Sequence, residues 1–163
     1  MDRKCILCGQ HVPTRKSIIL DGKVFCHPCM YQQSEPFLIY PIGYVRNQLK
    51  RAESGFGVDG DSKLSKIELF PSQKPFLYKI EEEKELTIVF YLHKARPVRS
   101  RFKRGYDGKV VGLFATRTPD RPSRIAIQDV RLIKVNDLVL TVEGLDAIDG
   151  SPVLDIKMKW HAR

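Results

Sequence analysis

Residues 125–144 indicate the fold class most directly, and they read Ile125-Ala126-Ile127-Gln128-Asp129-Val130-Arg131-Leu132-Ile133-Lys134-Val135-Asn136-Asp137-Leu138-Val139-Leu140-Thr141-Val142-Glu143-Gly144. Aliphatic and β-branched residues recur through both halves of this stretch, a pattern typical of β-strands. Asn136-Asp137 lies between the halves and predicts a two-residue hairpin turn. The stretch therefore predicts two long antiparallel strands.

Strand patterns extend outward from this hairpin over most of the chain. They cover residues 42–46, 66–70, 85–92, 110–115 and 153–157, and only residues 75–85 predict a short helix. Seven or so short strands joined by polar turns are typical of an all-β barrel or sandwich. We therefore predict a mainly β fold, either a barrel or a sandwich.

All four cysteines lie near the N-terminus, as Cys5-x2-Cys8 and Cys26-x2-Cys29. Two such pairs at this interval match the spacing of a four-thiolate zinc site. Between the pairs, residues 17–20 and 23–25 flank Asp21-Gly22, which predicts a short hairpin. The pattern predicts a small N-terminal zinc-ribbon or treble-clef finger with a structural Zn²⁺, because four protein ligands leave no position for a reactive water.

Other interpretations of the cysteines remain open at this point. Two disulfides would require an oxidising compartment, and a redox-active pair would account for only one CxxC motif. His11 or His27 could replace one thiolate. About forty residues bury too little surface to fold alone, so the metal would supply most of the stability of this module. We predict a finger over residues 1–34, a linker over 35–40 and a barrel domain over 41–163.

The positive charge is concentrated in one segment. The 163 residues include 28 Lys and Arg against 19 Asp and Glu, a net charge of +9, and residues 94–124 hold ten basic groups against two acidic ones. Concentrated positive charge attracts a polyanion, and Phe102 and Tyr106 could stack on unpaired bases. The alternative is a flexible, solvated loop. The predicted RNA-binding residues are Arg96, Arg99, Arg101, Phe102, Lys103, Arg104, Arg121 and Arg124.

The sequence argues against several other classes of protein. No run approaches the roughly 18 apolar residues of a membrane-spanning helix, and no apolar stretch follows the first charged residues. We therefore expect a cytoplasmic protein without a membrane partner. Residues 55–60 satisfy G-x-G-x-x-G but lack the strand and helix that a dinucleotide site requires, so we predict a loop there.

Four sequence segments between residues 41 and 157 occur in an order that is typical of one protein family. They are Pro41-Ile42-Gly43-Tyr44-Val45-Arg46, Phe90-Tyr91-Leu92-His93-Lys94-Ala95, residues 111–122 around Phe114-Ala115-Thr116-Arg117, and residues 143–157 around Asp146-Ala147-Ile148-Asp149-Gly150-Ser151. Together they resemble the TrmO family (also called YaeB or TsaA-like) over about residues 41–158. The resemblance implies a β-barrel that binds S-adenosylmethionine, generally as a homodimer, and N6-methylates threonylcarbamoyl-adenosine beside the tRNA anticodon.

The resemblance also implies roles for individual residues. His93 and Lys94 align with a pair that contacts the cofactor, Arg117 with the arginine of a Phe-Ala-Thr-Arg block, and Ile127 with a backbone contact. The implied cofactor-closing loop is Asp146, Ala147, Ile148, Asp149, Gly150 and Ser151. From residue type alone, the Asp-Gly pair could instead only make a turn, and His93 could be a rim histidine. No catalytic base is identified.

The chain departs from the family pattern in two places. The family's Pro-Arg-Gln segment is not recognisable between Gln48 and Ser65, and Arg121-Pro122-Ser123-Arg124-Ile125-Ala126 stands where the family has Arg-Pro-Asn-Pro-Ile-Gly. These differences motivate the alternatives of a non-catalytic RNA-binding protein or an S-adenosylmethionine-dependent methyltransferase with another substrate.

Overall fold

The computed structural model describes residues 2–32, 34–50, 64–94 and 96–160. The chain divides into two compact units: Met1–Leu38 with Lys94–Arg124, here called the finger unit, and Ile39–His93 with Ile125–Arg163, here called the barrel unit. The sequence-based boundaries at residues 34 and 40 assign residues 94–124 to the barrel domain. In the structure this segment instead groups with the finger, to which Val98 and Ser100 are hydrogen-bonded, and spacing in the sequence does not reveal these contacts.

The finger begins with a short strand pair and continues with a tight hairpin. Its elements are β1 (Asp2–Lys4), β2 (His11–Pro13), a 3₁₀ turn (Thr14–Lys16), β3 (Ser17–Leu20), β4 (Lys23–Cys26) and α1 (His27–Met30). Asp21 and Gly22 connect β3 to β4 with φ of 48° and 76°. Two successive residues with positive φ define a type I′ turn, so the predicted hairpin is confirmed.

The remaining strands follow in chain order. They are β5 (Gly43–Arg46), β6 (Leu64–Leu69), β7 (Glu85–Tyr91), β8 (Arg101–Lys103), β9 (Val110–Gly112), β10 (Ile125–Asn136), β11 (Val139–Glu143) and β12 (Pro152–Met158). Six of them close an antiparallel barrel in the order β10-β11-β6-β5-β12-β7. The mainly β, barrel-containing fold class is thus confirmed.

The barrel closes because alternate residues of its strands are apolar. Along β6, buried and exposed positions alternate strictly, and β7 buries every second residue. The inward rows meet in one core, whose most completely buried side chains are Val45, Ile67, Leu86, Ile88, Leu140, Val142 and Val153. No helix among the described residues is long and apolar enough to cross a membrane.

Three local predictions are corrected. The predicted strand 110–115 ends at Gly112, continues as a 3₁₀ turn (Leu113–Ala115), and pairs with β8 outside the barrel. The β10–β11 turn is Asp137-Leu138, because Asn136 pairs with Val139 and Asp137 adopts a φ of 53°. Where a short helix was predicted over residues 75–85, the chain forms two 3₁₀ helices, Pro71–Leu77 and Ile80–Glu82, and Pro75 lacks an amide donor within the first of them.

Candidate functional site

The four cysteine sulfurs converge on one point in the finger unit. All four Sγ atoms lie within 4.8 Å of one another, and the Sγ atoms of Cys8 and Cys26 are 3.8 Å apart. Zinc–sulfur bonds of about 2.3 Å at tetrahedral angles require sulfur separations of about 3.8 Å. All four are free thiols, and neither His11 nor His27 belongs to the group. The cluster therefore could hold one tetrahedrally coordinated metal ion.

The local hydrogen bonds also prepare the cluster for a cation. The backbone N–H of Cys26 donates to Cys5 Sγ at 3.3 Å, and with the N–H of Cys8 it lowers the pKa of the Cys5 thiol to about 6. Hydrogen bonding to the sulfurs of Cys26 and Cys8 raises the pKa of Cys29 to about 12. The lowered pKa favours the thiolate of Cys5, whereas the raised pKa favours the protonated thiol of Cys29 as long as no cation is bound.

At one rim of the barrel, the end of β7 meets the loop between β11 and β12. His93 lies just after β7, half-buried, with Nδ1 3.3 Å from the hydroxyl of the buried Ser151. Gly150 adopts a φ of 79° and donates its N–H to the Val45 carbonyl, while the Ser151 carbonyl accepts from Val45 N–H. The loop is therefore continuous with the β5 edge of the barrel.

Asn47, directly after β5, holds the second half of this loop. Its Nδ2 donates to the Ala147 carbonyl at 2.8 Å and to Ser65 Oγ at 2.9 Å, and its Oδ1 accepts the Leu49 N–H. Its own N–H donates to Asp149 Oδ1 at 3.1 Å. One side chain thus orients the loop that carries the Asp149 carboxylate.

Gln128 holds the first half of the loop in the same manner. Its Nε2 donates to the Gly144 carbonyl at 2.6 Å, and its Oε1 accepts the Asp146 N–H at 2.9 Å. Sequence reasoning missed both amides, although each gave a signal: Gln128 occupies the inward row of an apolar strand, and Asn47 is a polar residue at a strand end. Their pairing partners are remote in the chain.

The predicted cofactor residues are divided between the two units. His93, Ser151 and the rest of the 146–151 loop share the barrel unit, with Ala147 buried and Asp146 exposed. Ile127 also belongs to that unit, but its side chain faces outward and is 61% exposed. Lys94 and Arg117 are exposed residues of the finger unit.

The basic segment forms an ordered two-stranded ribbon. In β8, Arg101 and Lys103 are exposed, whereas Phe102 is half-buried and lies opposite Val111 of β9. Arg101, Lys103 and the exposed Arg99 form no ion pair with another described residue. The ribbon therefore presents positive charge on the face opposite Phe102.

The other predicted RNA-binding arginines make contacts within the unit. Arg96 pairs with the buried Asp120 at 3.2 Å, and Arg104 pairs with Asp107. Hydrogen bonding between the latter two raises the pKa of Arg104 and lowers that of Asp107. Arg121 donates to the carbonyls of Thr116 and Thr118. Arg124 is half-buried with a φ of 54°.

The fold and these clusters define a small antiparallel β-barrel protein that carries a four-cysteine finger and a basic ribbon. A family model described as the tRNA-methyltransferase O N-terminal domain matches residues 57–161. The chain therefore belongs to the TrmO family, which confirms the resemblance found in the sequence. The G-x-G-x-x-G motif at residues 55–60, and most of the region where the Pro-Arg-Gln segment was sought, lie outside the described residues.

Similar proteins from three domains of life match most of the chain. An S-adenosyl-L-methionine-binding protein of Archaeoglobus fulgidus is 33% identical over 122 residues, 74% of this chain and 87% of that protein. A tRNA (adenine(37)-N6)-methyltransferase of Homo sapiens is 33% identical over 74% of this chain and 29% of its own length. The crystal structure of TrmO from Pseudomonas aeruginosa superposes with a TM-score of 0.63 at 28% identity, covering 77% of this chain and 57% of that one. The chain thus spans little more than half of the bacterial enzyme and under a third of the human one.

Proposed function

We propose that this protein is an S-adenosylmethionine-dependent methyltransferase that acts on tRNA and methylates N6 of threonylcarbamoyl-adenosine beside the anticodon. The observation that carries the proposal is the match to the TrmO family over residues 57–161. The name of the human relative adds support, because it specifies an adenine N6 position of tRNA. The archaeal relative adds support for the cofactor, because this chain covers 87% of that protein and the protein is named for binding S-adenosyl-L-methionine.

The barrel rim offers suitable groups for this cofactor. S-adenosylmethionine supplies a methyl group on a positively charged sulfur, so carboxylates are favourable neighbours. In this proposal Asp146 and Asp149 hold the cofactor's amino group, Ile127 contributes a backbone contact, and the loop residues Ala147, Ile148, Gly150 and Ser151 enclose it. His93 is fixed by Ser151 at the rim. The family resemblance also assigns Lys94 and Arg117 to the cofactor, whose carboxylate is a suitable partner for their cationic side chains.

The proposal includes three further properties. The four cysteines bind a structural Zn²⁺, for which their tetrahedral spacing is suitable. The protein acts in the cytoplasm, where its RNA substrate occurs. It forms a homodimer, as the family resemblance implies, and light scattering after size-exclusion chromatography tests this property separately.

Three measurements in sequence test the proposed function. Isothermal titration with S-adenosylmethionine is expected to give one site per chain, and the absence of heat would overturn the enzymatic proposal. Transfer of tritiated methyl to bulk tRNA would then separate an active enzyme from a non-catalytic RNA-binding protein. Mass spectrometry of the digested nucleosides would identify the product, and a methylated base other than threonylcarbamoyl-adenosine would contradict the proposed substrate.

A further inference from the structure

The two compact units differ sharply in charge. The finger unit contains fifteen basic and five acidic side chains, a net charge of +10, whereas the barrel unit contains thirteen basic and fourteen acidic ones. The entire positive excess of the protein therefore belongs to the finger unit. A polyanion is attracted by that unit and not by the barrel unit.

The hairpin of the finger supports the base of the basic ribbon. Val98 pairs with Leu20 in a parallel bridge: its N–H donates to the Ile19 carbonyl and its carbonyl accepts from Asp21 N–H, both at 3.0 Å. Two residues later, the Ser100 N–H donates to Asp21 Oδ1 at 2.9 Å. Hydrogen bonding to Ser100 lowers the pKa of Asp21, so this carboxylate is ionised at neutral pH. The ribbon is thus anchored to the finger on one edge.

The tip of the ribbon presents an aromatic ring. Tyr106 is 79% exposed, and the guanidinium of Arg104 lies over its ring at 4.8 Å from the centroid. Asp107 accepts hydrogen bonds from Arg104 and from Lys109 N–H, which fixes the loop and the guanidinium. One face of the ring is therefore covered by a cation while the ring remains accessible to a second planar group.

We propose that the finger and residues 94–124 form one RNA-binding module, in which the finger hairpin holds the ribbon and Tyr106, supported by Arg104, stacks on an unpaired base. The inference rests on the proposed function, because it takes tRNA as the partner. Arg99, Arg101 and Lys103 neutralise neighbouring phosphates, while Arg96, Arg104 and Arg121 shape the module. An exposed ring beside unpaired cations favours a single-stranded loop over a duplex, whose bases are not open to stacking.

The stacking role is tested with a fluorescein-labelled RNA hairpin that has an unpaired loop of anticodon size, and with a fully paired duplex of equal length. Tyr106→Ala is expected to weaken hairpin binding by about 5- to 150-fold, the range for losing one stacked base. Tyr106→Phe should bind normally, because the phenyl ring also stacks. Tyr78→Ala is the matched control, since Tyr78 is 82% exposed beside Lys79 but belongs to the barrel unit. An unchanged affinity of Tyr106→Ala would overturn the stacking role.

The charge role is tested by the salt dependence of hairpin binding. Removing two phosphate contacts with Arg101→Gln and Lys103→Gln together should reduce the slope of log K against log salt by about 1.4. Lys66→Gln with Lys134→Gln removes the same charge from exposed positions of the barrel unit and should leave the slope unchanged. Equal effects of the two double variants would mean that the whole protein, and not the module, attracts RNA.

Titration with S-adenosylmethionine distinguishes the two proposals. All these variants should keep the cofactor affinity of the wild type, because none of the substituted residues belongs to the proposed cofactor set. If the wild type binds the cofactor and methylates tRNA while ribbon variants bind RNA normally, the module is wrong and the proposed function stands. If the wild type binds the RNA hairpin through the ribbon but binds no cofactor, the module stands and the enzymatic proposal fails.

Discussion

At Gly43 the barrel leaves no room for a side chain. A Cβ built there would lie 2.3 Å from the Glu68 carbonyl oxygen of the neighbouring strand. Gly43→Ala is therefore expected to separate β5 from β6 and to destabilise the protein by about 1–3 kcal/mol, as overpacking does. Thermal unfolding followed by circular dichroism checks this. Gly112→Ala is the control, because nothing lies within 4 Å of its added Cβ, and an equal loss in both variants would contradict the explanation.

Asn47 is a single residue on which the candidate cofactor loop depends. Asn47→Ala leaves the Ala147 carbonyl and the buried Ser65 hydroxyl without their donor, a cost of about 1–3 kcal/mol. The loop carrying Asp149 should then lose its orientation, and the dissociation constant for S-adenosylmethionine should rise in calorimetry. Asn136→Ala, at the exposed end of β10, should change neither stability nor affinity. Unaltered cofactor binding by Asn47→Ala would argue against the proposed loop.

At the scale of elements, the ribbon β8–β9 depends on its junction with β3. Val98 is 3% exposed; it donates its N–H to Ile19 of that strand and accepts the N–H of Asp21 in the turn after it. Val98→Ala removes buried methyl groups, so amide hydrogens of residues 99–112 should exchange faster while those of the barrel strands keep their protection. Hydrogen-exchange mass spectrometry measures this directly. Val110→Ala provides the control, since Val110 is 66% exposed in the same ribbon. Uniformly faster exchange throughout the chain would refute a local junction.

At the scale of the whole molecule, the two units have different sources of stability. The barrel unit has an apolar core, whereas we expect the finger unit to depend on a metal ion bound by the four-cysteine cluster. We expect one zinc per purified chain by elemental analysis, and we expect a chelator to abolish the finger unit's unfolding transition while the barrel's transition persists in calorimetry. The affinity for RNA should also fall when the chelator removes the metal. A zinc content below one per chain would contradict this division. So would a calorimetric scan in which the chelator abolishes the unfolding transitions of both units together.

The features that could be predicted from the sequence are those that depend on interactions between residues close together in the chain. Strand alternation in β6, β7 and β10 is a local pattern, so those strands were predicted within about two residues of their bounds. The I′ turn at Asp21-Gly22 and the cysteine spacing are local as well. The strand predicted over 110–115 was too long: residues 113–115 form a 3₁₀ turn in which Leu113 is buried and donates its N–H to the Ser100 carbonyl, a contact that a local pattern does not reveal.

The candidate site likewise depends on contacts between distant residues that the sequence alone did not reveal. Family motifs identified the 146–151 loop, yet the amides of Asn47 and Gln128 that hold it became visible only in the structure. Asn47 bonds to Ala147, which lies 100 positions away in the chain. Phe102 and Tyr106 were both predicted to stack on bases, and only the structure distinguishes the exposed ring of Tyr106 from the half-buried ring of Phe102.

Periodicity predicted an all-β barrel or sandwich, cysteine spacing predicted the N-terminal cluster of four thiols, and four sequence segments carried the resemblance to the TrmO family. These patterns were not sufficient to assign residues 94–124 to the finger, which concentrates a net charge of +10 in one unit. The bond between Ser100 and Asp21, which are 79 positions apart, is one of the contacts between this segment and the finger hairpin. Residues so distant become neighbours only when the chain folds, because hydrogen bonds and burial act over a few ångströms in space and leave no periodic trace in the sequence.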